Sequence, residues 1–356
     1  MFRLFPTVSI CRKEVGSMNK LFNYTSVFAP FIDDFIHEKE LRGYKVTQLK
    51  WMLLEFDKFF KQISKKELFI SSNDVKNWAG TRTFDKPNTL YQKYCAMADF
   101  CRYMCLLGYE CYIPRRPKKR FTSYIPNIFT HEQIRAIFNA SDKMVMKEHH
   151  AKSIMIIMPA LLRVLYSTGI RISEGLSILN KDVDFDRKVI VLNNTKNCCQ
   201  RLAPVNESLE QVLRQYISYR NRIPAPGVAN PDSHLFVSAT GKSCSRRTVL
   251  TYFHRIIEEC GIPRRCDQRG PMLHEIRHSS AVHSLIKLTQ DGVDLYCSLP
   301  LLATFMGHKK VLDTETYIRL TQEMYPEVLK MNAEVTDQVY SFITSKLRHD
   351  YEKRRD

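Results

Sequence analysis

The chain has 356 residues, of which 44% are hydrophobic and 11% aromatic, so a sizeable core can form and a wholly disordered chain is excluded. Lysine and arginine total 54 against 37 acidic residues, which gives a formal net charge of +17. This excess favours a polyanionic partner, with nucleic acid preferred over a membrane surface. No apolar run reaches the roughly 18 to 20 residues that span a bilayer, so no membrane partner is predicted.

The first 20 residues are not typical of a signal peptide, because they contain neither a long apolar centre nor a convincing cleavage site. We expect residues 1–20 to be a disordered extension, with Met18 as an alternative natural start. Without a leader, the predicted location is the cytoplasm, in association with the nucleoid.

The cysteine pattern predicts reduced thiols. The chain has 11 cysteines, an odd number, and no two of them form a CxxC pair, whereas small secreted scaffolds use regular, even sets. Cys260, Cys266 and His274 form only an irregularly spaced zinc set, so no metal site is predicted.

Apolar residues recur at helical spacing between residues 21 and 112, which predicts a compact unit of four or five helices. The clearest stripes lie at 28–36, 49–63 and 90–107, and Gly108 is typical of a helix C-terminus. The aromatic side chains fall on the apolar faces of these helices. We therefore interpret them as core residues rather than as a base-stacking platform.

Residues 113–127 predict an extended linker, because two prolines interrupt a run of cations. A solvated charge run or a nuclear-import-like signal would have the same composition. In so basic a chain we expect the run to follow a phosphate backbone. Its cations are Arg115, Arg116, Lys118, Lys119 and Arg120.

The pattern of residues 128–335 predicts a second domain, in which helices surround a few short strands. The stretch 184–192 predicts a hairpin, and 201–205 predicts the returning strand. The expected fold is therefore mainly α with a small antiparallel β-sheet, in two domains. Residues 336–356 predict an amphipathic C-terminal helix that ends in a charged tail.

The C-terminal third contains side chains that suit attack on a phosphodiester. His274 and Arg277 are three residues apart, so they share one face if the segment is helical. Gly307 allows a close backbone approach beside His308, and Tyr317 follows nine residues later. Histidine and arginine can neutralise phosphate oxygens while a tyrosine oxygen attacks phosphorus. Each residue alone would be unremarkable, since Tyr317 is one of 17 tyrosines.

Two upstream cations complete the charge balance. Arg171 follows Gly169 at a turn between two apolar helical stretches, and Glu174 is expected to brace that turn as structural support. Lys196 lies at the tip of a predicted hairpin, from which an ammonium can be presented to a leaving oxygen. Lysine suits a general acid because its pKa falls readily when it is desolvated.

These motifs, in this order, resemble the tyrosine recombinase (phage-type integrase) family. The matching segments are LYSTGIRISEGLSI with Arg171, TKNCCQRLAPV with Lys196, HEIRHSSAVHSLI with His274 and Arg277, and LLATFMGHKKVLDTETYIRL with His308 and Tyr317. The resemblance covers about residues 25–335. It implies a core-binding (DNA-binding) domain at 21–112 and a catalytic domain at 128–335, which would close on DNA as a clamp.

The resemblance also implies the mechanism. Tyr317 would attack a scissile phosphate and form a 3′-phosphotyrosyl link, which frees a 5′-hydroxyl. Arg171, Arg277 and His308 would hold the non-bridging oxygens and stabilise the transition state. Bond energy is conserved in this exchange, so the resemblance implies no ATP, metal or other cofactor.

Two further roles follow from the same resemblance, together with two departures from the family pattern. Lys196 would protonate the leaving oxygen, and His274 would assist proton transfer or phosphate binding. The turn around Lys196 lacks the glycines that the family often has there. The segment between Arg277 and His308 is longer than the family pattern and is expected to add a loop.

The expected partner is double-stranded DNA with specific recombination sites, bound by a homo-tetramer that is a monomer or weak oligomer when free. Further candidates for phosphate contacts are Arg246, Arg247, Arg264, Arg265 and Arg269. The C-terminal tail could dock on a neighbouring protomer or pack in cis. The expected loop and the cysteine-rich composition favour a mobile-element integrase or transposase over a housekeeping resolvase.

Two alternatives remain at the level of sequence. A type IB topoisomerase uses the same phenol chemistry to relax DNA, but such enzymes usually have lysine where this chain has His274. A DNA-binding accessory protein could keep the fold without catalysis, although the retention of all six residues disfavours this.

Overall fold

The computed structural model describes residues 22–118, 126–144, 153–193, 200–263 and 270–324. The predictions for residues 1–20 and 336–356 therefore lie outside the described residues. The predicted site and DNA-contact residues that also lie outside them are Lys119, Arg120, Lys196, Arg264, Arg265 and Arg269. The chain divides into two compact units, Met1–Tyr124 and Ile125–Asp356.

The described part of the first unit is helical, as the apolar spacing predicts. Its helices are α1 (Ala29–Leu41), α2 (Thr47–Gln62), α3 (Ser72–Gly80) and α4 (Pro87–Leu106). Helix α3 begins at a capping box in which Ser71 and Asp74 exchange hydrogen bonds. Helix α4 begins at Pro87, whose fixed φ suits the first helical position.

Aromatic side chains form the core of this unit. The rings of Phe56 and Trp78 stack with centroids 4.4 Å apart, and Phe28 contacts Phe60 at 4.8 Å. All four side chains are buried. The interpretation of the aromatics as core residues is therefore confirmed for these four.

The described part of the second unit combines helices with one small sheet. Its helices are α5 (His131–Asp142), α6 (Met158–Thr168), α7 (Ile172–Leu176), α8 (Glu207–Arg220), α9 (Arg246–Glu259), α10 (His274–Gln290), α11 (Leu295–Met306) and α12 (Leu312–Met324). Its strands are β1 (Val183–Asp184), β2 (Val189–Leu192) and β3 (Arg201–Pro204). The sheet is antiparallel in the order β1-β2-β3, as predicted, and Ile190 pairs with Ala203.

Helix α10 packs against α6, α11 and α12 and so lies at the centre of this unit. Its apolar residues Ala281, Val282 and Leu285 are fully buried. Two side chains of α10 also fix the chain that enters the unit: Glu275 accepts a hydrogen bond from the amide of Asn127, and Ser279 accepts one from the amide of Phe129. The N-terminal turns of α10 are therefore held on several sides.

The expected loop between Arg277 and His308 is a short turn instead. Helix α10 continues to Gln290, and α11 begins at Leu295, so most of the segment is helical. Gly292 allows the tight connection because its φ is +84°. The loop expected here is therefore the connection 291–294, and the rest of the segment up to Met306 is helical. Among the described residues, no helix is long and apolar enough to cross a membrane.

Candidate active site

Arg277 is the buried centre of a cluster of polar side chains. Its side chain is almost wholly buried, with a residue exposure of 2%. The guanidinium donates to the carbonyl of Gly169, to the carbonyl of Met306 at 2.7 Å, and to Nε2 of His308 at 3.1 Å. Burial, together with the charge of Arg171, lowers the pKa of Arg277 to about 10. The site therefore holds a cation in a position that water does not reach.

The two carbonyls that receive Arg277 come from the C-terminal ends of two helices. Helix α6 ends just before Gly169, with φ +58°, and α11 ends just before Gly307, with φ +67°. Helix C-termini carry partial negative charge and leave carbonyls without partners in the helix. Gly169 and Gly307 adopt the left-handed conformation and turn the chain away from the helix, so both carbonyls can accept hydrogen bonds from Arg277. This explains why both the STGIR and the MGH segments contain glycine.

The contacts of His308 define its tautomer. Arginine has no acceptor, so Nε2 of His308 must accept from Arg277. The proton of the neutral ring is therefore on Nδ1, which donates to Oγ1 of the buried Thr314 at 2.8 Å. Burial lowers the pKa of His308 to about 4, and the charges of Arg277 and Arg171 act in the same direction. His308 is consequently neutral at physiological pH in the DNA-free chain.

Tyr317 brings a phenol into this cluster. It belongs to α12, is 4% exposed, and stacks almost parallel to His308 with an interplanar angle of 11°. Its Oη lies 3.0 Å from Nδ1 of His278. Burial raises the pKa of Tyr317, and the nearby charges of Arg277 and Arg171 offset only part of that rise. The phenol is therefore protonated at rest, although the surrounding cations favour its phenolate.

Arg171 reaches the cluster through Glu174, which receives the backbone amide of Arg171 at 2.9 Å and its guanidinium at 2.8 Å. The second guanidinium on Glu174 belongs to Arg201, at 3.0 Å. Burial alone would raise the pKa of Glu174, but the hydrogen bonds from Arg171 and the charge of Arg201 lower it overall. One buried carboxylate thus holds two arginines that would otherwise repel each other.

His274 lies at the N-terminus of α10, where its side chain is exposed. Its ring meets His278 edge-on, with centroids 4.8 Å apart. Loss of hydration lowers the pKa of His274 to about 4, with further contributions from Arg277 and Arg171. Loss of hydration and the surrounding cations together keep the ring neutral until an anion arrives.

The structure thus brings together Arg171, His274, Arg277, His308 and Tyr317. Lys196 lies outside the described residues, so its predicted place beside this cluster remains a prediction. In the described ranges there is no group of three or more His, Cys, Asp or Glu residues arranged to hold a metal ion.

Sequence reasoning missed Arg201, His278 and Thr314. Arg201 reads as an ordinary strand residue in RLAP, yet it also donates to the carbonyl of Phe305 at 2.7 Å. His278 follows Arg277 directly and is four residues after His274, a helical spacing that could have indicated a second imidazole in the site.

The predicted DNA-contact cations that are described lie at the surface. In the first unit, Arg115, Arg116 and Lys118 are exposed in an extended segment, and Arg116 is 3.4 Å from Asp99. In the second unit, the predicted contacts Arg246 and Arg247 are exposed at the start of α9. Lys309 and Lys310, which were not predicted, are also exposed and follow His308. Arg246 is near enough to His274 to lower its pKa.

A model of the phage integrase family matches residues 127–324 of the chain. The chain belongs to the phage integrase family. It is a tyrosine recombinase, and the matched range contains the whole cluster around Arg277.

Curated relatives support this assignment over different lengths. The integrase/recombinase y4rB of Sinorhizobium fredii is 25% identical over 311 residues, which cover 86% of this chain and 96% of that protein. The tyrosine recombinase XerD of Chlorobaculum tepidum is 27% identical over 215 residues, which cover 59% of this chain and 63% of that protein.

Solved structures share the fold. A post-cleavage complex of the XerH site-specific recombinase with a palindromic difH substrate matches with a TM-score of 0.60 at 17% identity, and covers 87% of this chain and 97% of that chain. A lambda integrase dimer bound to a COC′ core site matches with a TM-score of 0.58 at 16% identity, and covers 81% and 94%. The predicted family and fold class are therefore confirmed.

Acidification should destabilise the tyrosine recombinase. The pKa values of His274, His278, His283 and His308 are lowered to about 4, 3, 4 and 4, mainly by burial, from roughly 6.5 in an unfolded chain. Between the folded-state and unfolded-state pKa values, the unfolded chain binds more protons than the folded chain. The stability that the histidines contribute is therefore complete above pH ~6.5 and is lost as the pH falls towards about 4. The free energy of unfolding, from denaturant titration of the full chain, should fall by at least about 1 kcal/mol between pH 7 and 5.5. A flat or rising profile on acidification would contradict this account of the histidines.

Gly307→Ala should disturb the site through Arg201. An added Cβ would lie 2.6 Å from Nε and 2.7 Å from Cδ of Arg201. Gly292→Ala is the matched control, since its φ is also positive but nothing lies within 4 Å of the added Cβ. We expect Gly307→Ala to lose about 1–3 kcal/mol more stability than the control, and to slow DNA cleavage by about tenfold or more. Equal losses in thermal and cleavage assays would mean that the close approach of Arg201 is unimportant.

Proposed function

We propose that this tyrosine recombinase cuts and rejoins DNA strands through a 3′-phosphotyrosyl link to Tyr317. The observation that carries this proposal is the position of one buried phenol beside Arg277 and His308, within the charge field of Arg171. A phenol in this surrounding is held where cations can stabilise both its phenolate and an anionic phosphate.

The phosphate would be held by Arg171, Arg277 and His308. His308 would first take a proton on Nε2, because its neutral ring has only an acceptor on that side. Arg277 keeps its two carbonyl contacts and redirects the donor that faces His308 towards a non-bridging oxygen. The side chain of Arg171 is about one-fifth exposed. Its guanidinium can exchange one oxygen of Glu174 for the phosphate, because the backbone amide of Arg171 still donates to Glu174. The pentavalent transition state gains more negative charge on its oxygens than the ground state has, and fixed cations therefore lower the barrier.

The leaving 5′ oxygen needs a proton, and we assign that role to Lys196 from its place in the sequence. His274, exposed at the mouth of the cluster, would bind phosphate or assist proton transfer. The free 5′-hydroxyl of a partner strand then attacks the phosphotyrosine and restores the DNA backbone, so neither ATP nor a metal ion is required.

We further propose the domain arrangement that the sequence predicts. Residues 21–112 would form the core-binding domain, 113–127 the basic linker and 128–335 the catalytic domain, closing on the duplex as a clamp. Exposed cations on both units support this, because phosphate contacts supply most sequence-independent affinity for DNA. The lambda integrase structure holds its core site as a dimer, and we expect four copies of this chain to hold two sites.

A mobile genetic element is the proposed biological setting. The alignment with y4rB extends over 86% of this chain, whereas the XerD alignment covers 59%. The longer match favours the integrase/recombinase group over a resolvase of chromosome dimers.

Tyr317→Phe should abolish covalent capture of DNA. On a nicked suicide duplex, the cut fragment diffuses away, and the wild-type chain should accumulate as a protein–DNA adduct on a denaturing gel. The variant lacks the attacking oxygen, so adduct formation should fall by about a thousandfold or more. Tyr325→Phe is the control, because Tyr325 is the next tyrosine in the sequence and should be dispensable. An adduct that survives in Tyr317→Phe and disappears in Tyr325→Phe would move the nucleophile to Tyr325.

The DNA that the chain captures in its own cells should reveal its role. Sequencing of trapped adducts should recover the two ends of a mobile segment together with the junction of an excised circle. Recovery of one fixed chromosomal site alone would support dimer resolution and contradict the mobile-element proposal.

A further inference from the structure

His278 is in direct contact with the attacking atom. Its Nδ1 lies 3.0 Å from Oη of Tyr317, and the two rings are tilted with centroids 5.6 Å apart. The side chain is partly buried between α10 and α12. Any reaction at Oη therefore takes place within hydrogen-bond distance of this imidazole.

We assign the phenol as the donor and the imidazole as the acceptor of this hydrogen bond. The guanidinium of Arg277 also interacts with the phenol oxygen, and arginine can only donate. The phenolic proton must then point elsewhere, and Nδ1 of His278 is the acceptor in reach. In this tautomer the ring proton of His278 is on Nε2, which leaves the Nδ1 lone pair directed at the phenol.

We propose that His278 is the base that removes the phenolic proton when Tyr317 attacks the scissile phosphate. This inference rests on the proposed function of Tyr317. As the bond between Oη and phosphorus forms, the O–H bond breaks and its proton moves to Nδ1 of His278. The bond from phosphorus to the 5′ oxygen breaks, and that oxygen takes a proton from a separate donor, Lys196 or solvent.

The cations around His278 make this base dependent on substrate. The charged and titratable groups that face it are His274 and Arg277 on its own helix, His308 before α12, and Tyr317 on α12. Burial lowers the pKa of His278 to about 3, and His274, Arg277 and His308 lower it as well. A bound phosphate adds negative charge to the same cluster and opposes these effects, so His278 gains proton affinity when DNA is in place.

His274 is the neighbouring imidazole through which the proton could leave. Its ring lies edge-on to His278, with centroids 4.8 Å apart, and is exposed at the surface. Release of the Nε2 proton to this neighbour or to solvent would return the ring of His278 to neutrality. In the reverse reaction the same pair can return a proton to the departing phenolate.

The test is single-turnover cleavage of the nicked suicide duplex at saturating DNA, with His278→Asn and His278→Ala. Asparagine can accept the phenol's hydrogen bond near the position of Nδ1 but cannot take its proton. We expect the wild-type rate to fall at acidic pH, where His278 is protonated before the attack. Both variants should slow adduct formation by about a hundredfold or more and should lose this acidic fall in rate. His278→Asn preserves size and polarity, so DNA affinity and melting temperature should stay close to the wild type.

His283→Asn is the matched control. His283 lies on the same helix and pairs its Nδ1 with the hydroxyl of Tyr166 at 2.8 Å, outside the cluster. Loss of this second histidine–tyrosine pair should leave the cleavage rate within about threefold of the wild type.

Three outcomes would overturn the proposal. A cleavage rate for His278→Asn within about threefold of the wild type would mean that accepting a hydrogen bond is sufficient. A faster rate for His278→Ala would mean that His278 restrains the phenol. Full rescue by a 5′-bridging sulfur, which leaves without a proton, would place His278 at the leaving group. Adduct formation by the wild type tests the function of Tyr317 separately, so either idea can fail alone.

Discussion

Arg277 loses its hydration on burial, and fixed hydrogen-bond acceptors replace the lost water on three sides. The carbonyls of Gly169 and Met306 come from the ends of two helices, and the imidazole of His308 supplies the third contact. Because helix ends carry partial negative charge, this arrangement stabilises a guanidinium without neutralising it by a carboxylate. The cation therefore remains available to a phosphate, while its position is set by the packing of α6 and α11 against α10.

Glu174 extends the same principle to the upstream part of the site. It is 1% exposed and binds both Arg171 and Arg201. Arg201 in turn donates to the carbonyl of Phe305, next to the segment that ends α11. Strand β3 is thereby tied to the turn that presents Arg171 and to the turn that presents His308. Motifs that are far apart in the sequence share one buried ion network, so movement at one of them disturbs the others.

Much of the site could be predicted from the sequence, because its residues lie in short motifs with local constraints. Gly169 and Gly307 mark helix ends, and the spacing of His274 and Arg277 places both on one face of a helix start. The helices followed from apolar spacing, the small sheet from the hairpin pattern, and the two-domain clamp from the family resemblance. The contacts that depend on tertiary packing were not predictable: Arg201 approaches Gly307 from 106 positions away in the chain, and Thr314 is an ordinary helix residue until it meets His308. The contact of His278 with Tyr317 was not predictable because it depends on the packing of α10 against α12. The short connection before α11 was not predictable either, because most of the segment continues the two helices.

The most direct test of the account is a crystal structure of the chain with a cut duplex and vanadate, which adopts the trigonal bipyramid of the transition state. The account predicts a bond from vanadium to Oη of Tyr317, with Arg277 still donating to the carbonyls of Gly169 and Met306 while its remaining donor meets an equatorial oxygen. A vanadium centre bonded to another residue, or an Arg277 that has left both carbonyls, would contradict the claim that two helix ends preform this site.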